Sequence, residues 1–149
     1  MQASNALAAL AMSFVLSSCS TAKFGDRAIE ARLKNFEPLA GRVSLYLCRE
    51  PSSGAAASFQ NAEALVNGRT LGAIDNNTFA HTDLPPGRIS TMLKRDDGSN
   101  SGLLELQGKA GDVLFVWVGA RPFTPLLIDS FTNPVEGQAC VREARYVVP

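Results

Sequence analysis

The sequence predicts an all-β protein: a small antiparallel β-sandwich over residues 41–149, behind an export signal (1–18) and a short tether with one helical stretch (19–40). Three observations lead there. From Arg42 onward the apolar residues recur at a period of two, with Val43, Leu45 and Leu47 alternating with Ser44, Tyr46 and Cys48. Turn-forming groups break the chain at short, regular spacing: Asn67-Gly68, Asp75-Asn76-Asn77, Asp83-Leu84-Pro85-Pro86-Gly87, Asp96–Asn100 and Gly108–Gly111. About seven or eight short strands separated in this way describe two packed sheets. At 149 residues, 46% hydrophobic and 19% charged, the chain has the make-up of one globular domain, without repeats or low-complexity tracts.

The first element carries no charge at all: Asp, Glu, Lys and Arg are absent before Lys23. Ala6–Leu16 is apolar except for Ser13, too short for a spanning helix of roughly 20 residues and the right length for a signal-peptide core. Leu16-Ser17-Ser18-Cys19 follows and resembles the bacterial lipobox. That resemblance implies cleavage before Cys19, acylation of its sulfur and new amino group, and anchoring in a membrane by more than one acyl chain. The competing reading makes Ala6–Leu16 a core helix and Cys19 an ordinary buried cysteine. No Lys or Arg precedes the apolar run, a departure from the usual positively charged start. Ser20 after the cysteine favours the outer membrane, facing the periplasm, over the inner one.

Export places the mature chain where disulfides persist. With Cys19 lipidated, Cys48 and Cys140 remain, and they are expected to pair; the alternative is two free buried thiols. In the tether Ile29, Leu33 and Phe36 fall on one helical face, and Glu37-Pro38 is expected to stop the helix. The mixed charge of this stretch argues for packing on the domain over lying on a membrane.

Within the sandwich, Val43–Cys48 reads as a half-buried strand, and Glu63–Val66 and Arg69–Ile74 as a hairpin around Asn67-Gly68. Thr78–Thr82 is a short strand. Arg88–Lys94 returns after the Pro-Pro-Gly turn with Ile89, Thr91 and Leu93 on one face. Leu103–Gln107 and Asp112–Gly119 are expected to pair across Gly108–Gly111, and Val113–Val118, apolar on both faces, is expected to be the central strand. Leu126–Ile128 is expected as the last strand, with Asn133–Ala144 turning helical after Pro134.

The succession Val43–Arg49, Val66–Gly72, Phe79, Asp83–Arg88 and Lys109–Val116 is similar to a family of small bacterial lipoproteins of unknown function, whose wider relatives are PEGA-type surface domains. The family pattern runs aromatic-x-x-Arg, a "DG-x-x-x-G" hairpin, a "V-P-P-G-x-H" turn and an "A-G-x-x-Y-F-V" strand. The resemblance spans about residues 40–120 and implies a PEGA- or transthyretin-like sandwich. Asn67, Arg88-Ile89 and Leu114-Phe115 depart from it. These are turn and core motifs, so the resemblance implies no catalytic residues.

The chemistry-bearing residues are few. Net charge is zero, with 14 basic and 14 acidic side chains, so no field attracts nucleic acid. His81 is the single histidine, with no partners at metal-ligand spacing, and reads as a half-exposed strand residue. The Asp96–Asn100 stretch lacks the alternating acids of a calcium loop. Asn76-Asn77-Thr78 is a chance sequon, and Glu105 and Asp112 read as solvated. No metal or cofactor is expected. The expected function is a binding or structural module anchored in the bacterial envelope through Cys19, presenting a sandwich face to an envelope protein or glycan. The loop Pro51–Gln60 and the segment containing Arg121, Pro122 and Phe123 are the expected contact surface. The alternative is a small envelope enzyme, a hydrolase or thiol-redox protein using Cys140 with His81.

Overall fold

The computed structural model describes residues 21–52, 61–119 and 124–149. The export signal, Cys19 and the Arg121-Pro122-Phe123 segment lie outside the described residues, as does most of the Pro51–Gln60 loop. In chain order the strands are β1 (Lys23–Phe24), β2 (Val43–Arg49), β3 (Ala62–Val66), β4 (Arg69–Ile74), β5 (Thr78–Leu84), β6 (Gly87–Arg95), β7 (Leu104–Gly108), β8 (Val113–Gly119), β9 (Leu127–Ser130) and β10 (Arg145–Val148). The helices are α1 (Arg27–Leu33), before β2, and α2 (Pro134–Glu143), before β10. Six strands form one sheet in the order β1-β10-β5-β2-β8-β9, and four form a second in the order β4-β3-β6-β7. The all-β sandwich is therefore the observed architecture.

The larger sheet is mixed, not antiparallel throughout. β2 runs parallel to β8, and β10 parallel to β5. The reason lies in two turns. Pro85 and Pro86 have no N–H to give to a ladder, so pairing ends there and the chain crosses from β5 in the larger sheet to β6 in the smaller. The Gly108–Gly111 turn carries it back. Gly111 takes φ +89°, and the Asp112 carboxylate accepts the Lys109 N–H at 2.7 Å. A Cβ at Gly108 would come within 2.8 Å of the Val43 methyls, so only glycine lets this corner close on the core. The expected pairing of residues 103–107 with 112–119 is thus replaced: β7 pairs with β6, while β8 lies between β2 and β9.

The Asn67-Gly68 turn forms as expected, both residues at positive φ (49° and 76°), and joins β3 to β4. Asn67 adds a cross-strand clamp: its Oδ1 accepts the Ser90 N–H at 2.9 Å from β6.

Between the sheets lies an aliphatic core, with Val43, Leu45 and Leu47 of β2 and Val116 and Val118 of β8 against Ala64, Val66, Ile89 and Leu93 of the smaller sheet. A second core covers the outer face of the larger sheet: Phe36, Tyr46, Cys48, Phe79 and Phe115 under Cys140, Val141 and Ala144. This second core moves the centre of the sheet. β2, expected to be half-buried, is buried on both faces along its whole length, whereas β8 keeps Val113, Leu114 and Trp117 partly exposed. Ser44, Tyr46 and Cys48 resemble a solvent face in sequence, but each is satisfied inside the protein, by Asp83, by the Leu33 carbonyl and by Cys140.

The tether residues belong to the fold. β1 pairs with β10 at the sheet edge. Asp26 caps α1 by accepting the Ala28 and Ile29 N–H groups at 2.7 and 3.2 Å. The helix ends at Leu33, before the expected Glu37-Pro38 stop, and Phe36 reaches the core through a left-handed backbone (φ +57°). Of the three apolar residues expected on one face, only Phe36 is buried; Ile29 is 41% exposed.

α2 begins where Asn133 and Pro134 place it, with Asn133 Oδ1 accepting the Val135 N–H at 3.0 Å. It lies against the sheet at Gly137, where any Cβ would collide with Phe115 Cβ. Gly137→Val is expected to destabilise the protein by about 1–3 kcal/mol through overpacking at an atom fixed to the backbone. A denaturant melt with no loss would show that α2 can lift without cost.

Candidate functional site

The register of the larger sheet arranges its outer-face side chains in rows. Asp83, Ser44 and Val113 form one row, His81, Tyr46 and Phe115 the next, and Phe79, Cys48, Trp117 and Asp129 the third. α1 and α2 lie over the middle of this face, so every candidate group is at the margin of a helix or beneath one.

Cys48 in β2 and Cys140 in α2 are joined by a disulfide, with Cα atoms 6.2 Å apart and a sequence separation of 92. Both are buried. The expected pairing is observed, and the bond fastens α2 to the central strand. The alternative use of Cys140 with His81 lacks its thiol in this form.

His81 is more enclosed than its strand position suggested, its side chain 9% exposed. Its ring centroid is 4.6 Å from that of Tyr46, and Nε2 is 3.5 Å from Asp83 Oδ1. The same carboxylate oxygen accepts the Ser44 hydroxyl at 2.6 Å. Serine, histidine and aspartate are therefore together, but the aspartate is the hub. A nucleophilic triad places the imidazole between serine and carboxylate, so that it can take the hydroxyl proton. Here Ser44 gives its proton to Asp83 and is buried. The cluster braces β2 against β5 and leaves no activated nucleophile.

Burial lowers the His81 pKa; Asp83 opposes the shift and Arg32 adds to it. Burial, with Asp83 assisting, pushes the Tyr46 phenol up to about 12. A histidine held below its unfolded value of about 6.5 binds fewer protons in the native state, so stability falls as pH drops from about 6.5 towards the folded value. His81→Gln is expected to flatten this part of the profile. Melts at pH 7.5 and 5.5 for both proteins would test it; an unchanged difference would assign the slope to the carboxylates.

Sequence reasoning did not single out the cluster at the open end of the sheet. Trp117 donates its indole N–H to Glu50 Oε2 at 3.1 Å. The ring lies across Gly119, two residues on and on the same face, where any Cβ would overlap it. A glycine two positions after a strand tryptophan was the available signal. Because β2 and β8 are parallel, they end side by side, so the loop starting at Pro51 and the segment starting at residue 120 leave the sheet together. The far end of the second segment is anchored: the Leu126 carbonyl accepts Arg95 Nε and Nη2 at 3.2 and 2.9 Å. The two expected contact loops thus arise next to each other, although Arg121, Pro122 and Phe123 themselves lie outside the described residues.

Among the described residues, no group of three or more His, Cys, Asp or Glu side chains could hold a metal ion, and no helix is long and apolar enough to cross a membrane. Glu105, expected to be solvated, is exposed and pairs with Arg88. Neither a family model nor a curated protein matches this chain.

Proposed function

We propose that this chain is a bacterial envelope lipoprotein, anchored through Cys19, whose sandwich is a binding or structural module for an envelope protein or glycan. The lipobox-like Leu16–Cys19 run and the resemblance to small PEGA-like lipoproteins belong to this reading. Its strongest support is the buried Cys48–Cys140 disulfide, because such bonds form and persist in oxidising compartments outside the cytosol. The role is non-catalytic: Ser44, His81, Asp83 and Cys140 are all engaged in holding the fold. The contact surface is the end where the Pro51 and Arg121-Pro122-Phe123 loops emerge beside Trp117 and Glu50. The location is the outer membrane, facing the periplasm.

Intact mass and detergent-phase partition of the protein expressed from its own gene in a bacterial host test this reading. A mature chain starting at Cys19 with acyl chains is expected, and Cys19→Ala should move it to the aqueous phase by more than about tenfold. An unprocessed, water-soluble product with two free thiols would overturn both the anchor and the compartment.

A further inference from the structure

The edge of the sandwich nearest the anchor has the chemistry of a membrane-contact surface. Only three residues lie between Cys19 and Lys23, the first residue of β1, so the chain spans at most about 14 Å over these four steps. The six-stranded sheet is about 24 Å across at normal strand spacing, with β1 at one edge and β9 at the other. A leash shorter than the sheet is wide cannot turn the β9 edge to the bilayer while β1 stays paired with β10.

At the β1 edge Phe24 is 56% exposed, one of the largest exposed apolar side chains among the described residues. Arg145 of β10 stacks its guanidinium over the ring, 4.7 Å from the centroid, so ring and cation form one amphipathic unit. Lys23 and Arg27 flank it and are exposed. Two acids lie nearby, Asp26 capping α1 and Glu30 paired with Lys34 and Arg145, so the four basic side chains Lys23, Arg27, Lys34 and Arg145 outnumber them. An exposed aromatic under a guanidinium, with exposed basic residues before and after it in sequence, suits the interface between acyl chains and anionic headgroups, where the ring enters the hydrocarbon margin and the cations meet phosphate.

We propose that the β1 edge, centred on Phe24 with Lys23, Arg27 and Arg145, docks on the anionic lipid surface that holds Cys19, and so holds the sandwich in one orientation. This rests on the lipid-anchor reading. The opposite edge, including the 58% exposed Leu103 just before β7, is then directed away from the membrane.

The test adds one tryptophan at a time to the full lipidated chain, keeping Trp117 as the common background. The protein is inserted in phosphatidylethanolamine–phosphatidylglycerol vesicles with brominated acyl chains, which quench indoles at the hydrocarbon margin. Intact mass establishes acylation and the disulfide in each sample. Fluorescence added by Phe24→Trp is expected to fall about twofold on brominated vesicles, while that added by Leu103→Trp stays unchanged. Lys23→Trp, one residue nearer the anchor, is the second probe should Phe24→Trp fail to fold. Acylated protein with neither edge probe quenched, or with Leu103→Trp quenched equally, would overturn the docked orientation and leave the anchor standing. Protein without acyl chains would overturn the anchor reading and this proposal with it.

Discussion

Replacing Cys48 and Cys140 together with alanine is expected to lower the stability of the folded domain by about 4–5 kcal/mol, the largest loss available from one bond in this protein. The disulfide closes a sequence separation of 92, a loop that includes β3 to β9 and most of α2, so the reduced unfolded chain gains nearly the maximum loop entropy for a domain of this size. The midpoint of thermal unfolding should fall by roughly 10–20 °C. The loss should also be local: α2 is held to β2 by this bond, so hydrogen exchange over residues 134–143 should accelerate more than exchange in β3 or β6. A change below about 1 kcal/mol, with α2 still protected, would show that packing at Gly137 and Val141 holds the helix unaided.

Tyr46→Ala is expected to cost about 3–5 kcal/mol, with Tyr46→Phe costing about 1 kcal/mol. Tyr46 is 1% exposed at the centre of the second core. Its ring lies 5.5 Å from Phe36, 5.3 Å from Phe115, 4.6 Å from His81 and 6.2 Å from Phe79, centroid to centroid. Truncation to alanine therefore leaves a cavity bounded by four rings, three of which (His81, Phe79 and Phe115) are carried by strands. The hydroxyl contributes separately, by donating to the Leu33 carbonyl at 2.8 Å, which at the end of α1 also accepts the Phe36 N–H at 3.1 Å. Urea melts of the two variants separate these contributions. Equal losses would place the effect in the hydrogen bond; no loss for phenylalanine would place it all in the packing.

These residues also mark the limit of what was legible in the sequence. The strands and turns were readable because they depend on neighbours: Asn67-Gly68 accepts positive φ, Pro134 suits a first helical turn, and Ile89, Thr91 and Leu93 alternate inward. β10 was missed because four residues behind a helix carry too little periodicity to distinguish a strand from a tail. Pairing was misread at the second sheet crossing, where residues 103–107 were expected to pair with 112–119. A Gly-x-x-Gly turn shows that the chain reverses, but the same turn serves a hairpin and a change of sheet.

The candidate site divides in the same way. The two cysteines were identifiable by residue type and number. The Ser44–Asp83–His81 hub and the Trp117–Glu50 pair were not, because their partners are 39 and 67 residues apart in sequence and meet only through strand register. By itself the sequence determined the all-β class, the turns, the start of the second helix at Asn133-Pro134 and the two cysteines that pair. The tertiary structure alone decided that β2 rather than β8 is buried on both faces, and that the parallel pairing of these two strands ends them side by side. Short-range preferences are properties of neighbouring residues. Burial and strand partnership follow from what the rest of the chain lays over each face, and α1 and α2 lay an aromatic core over residues whose alternation implied solvent.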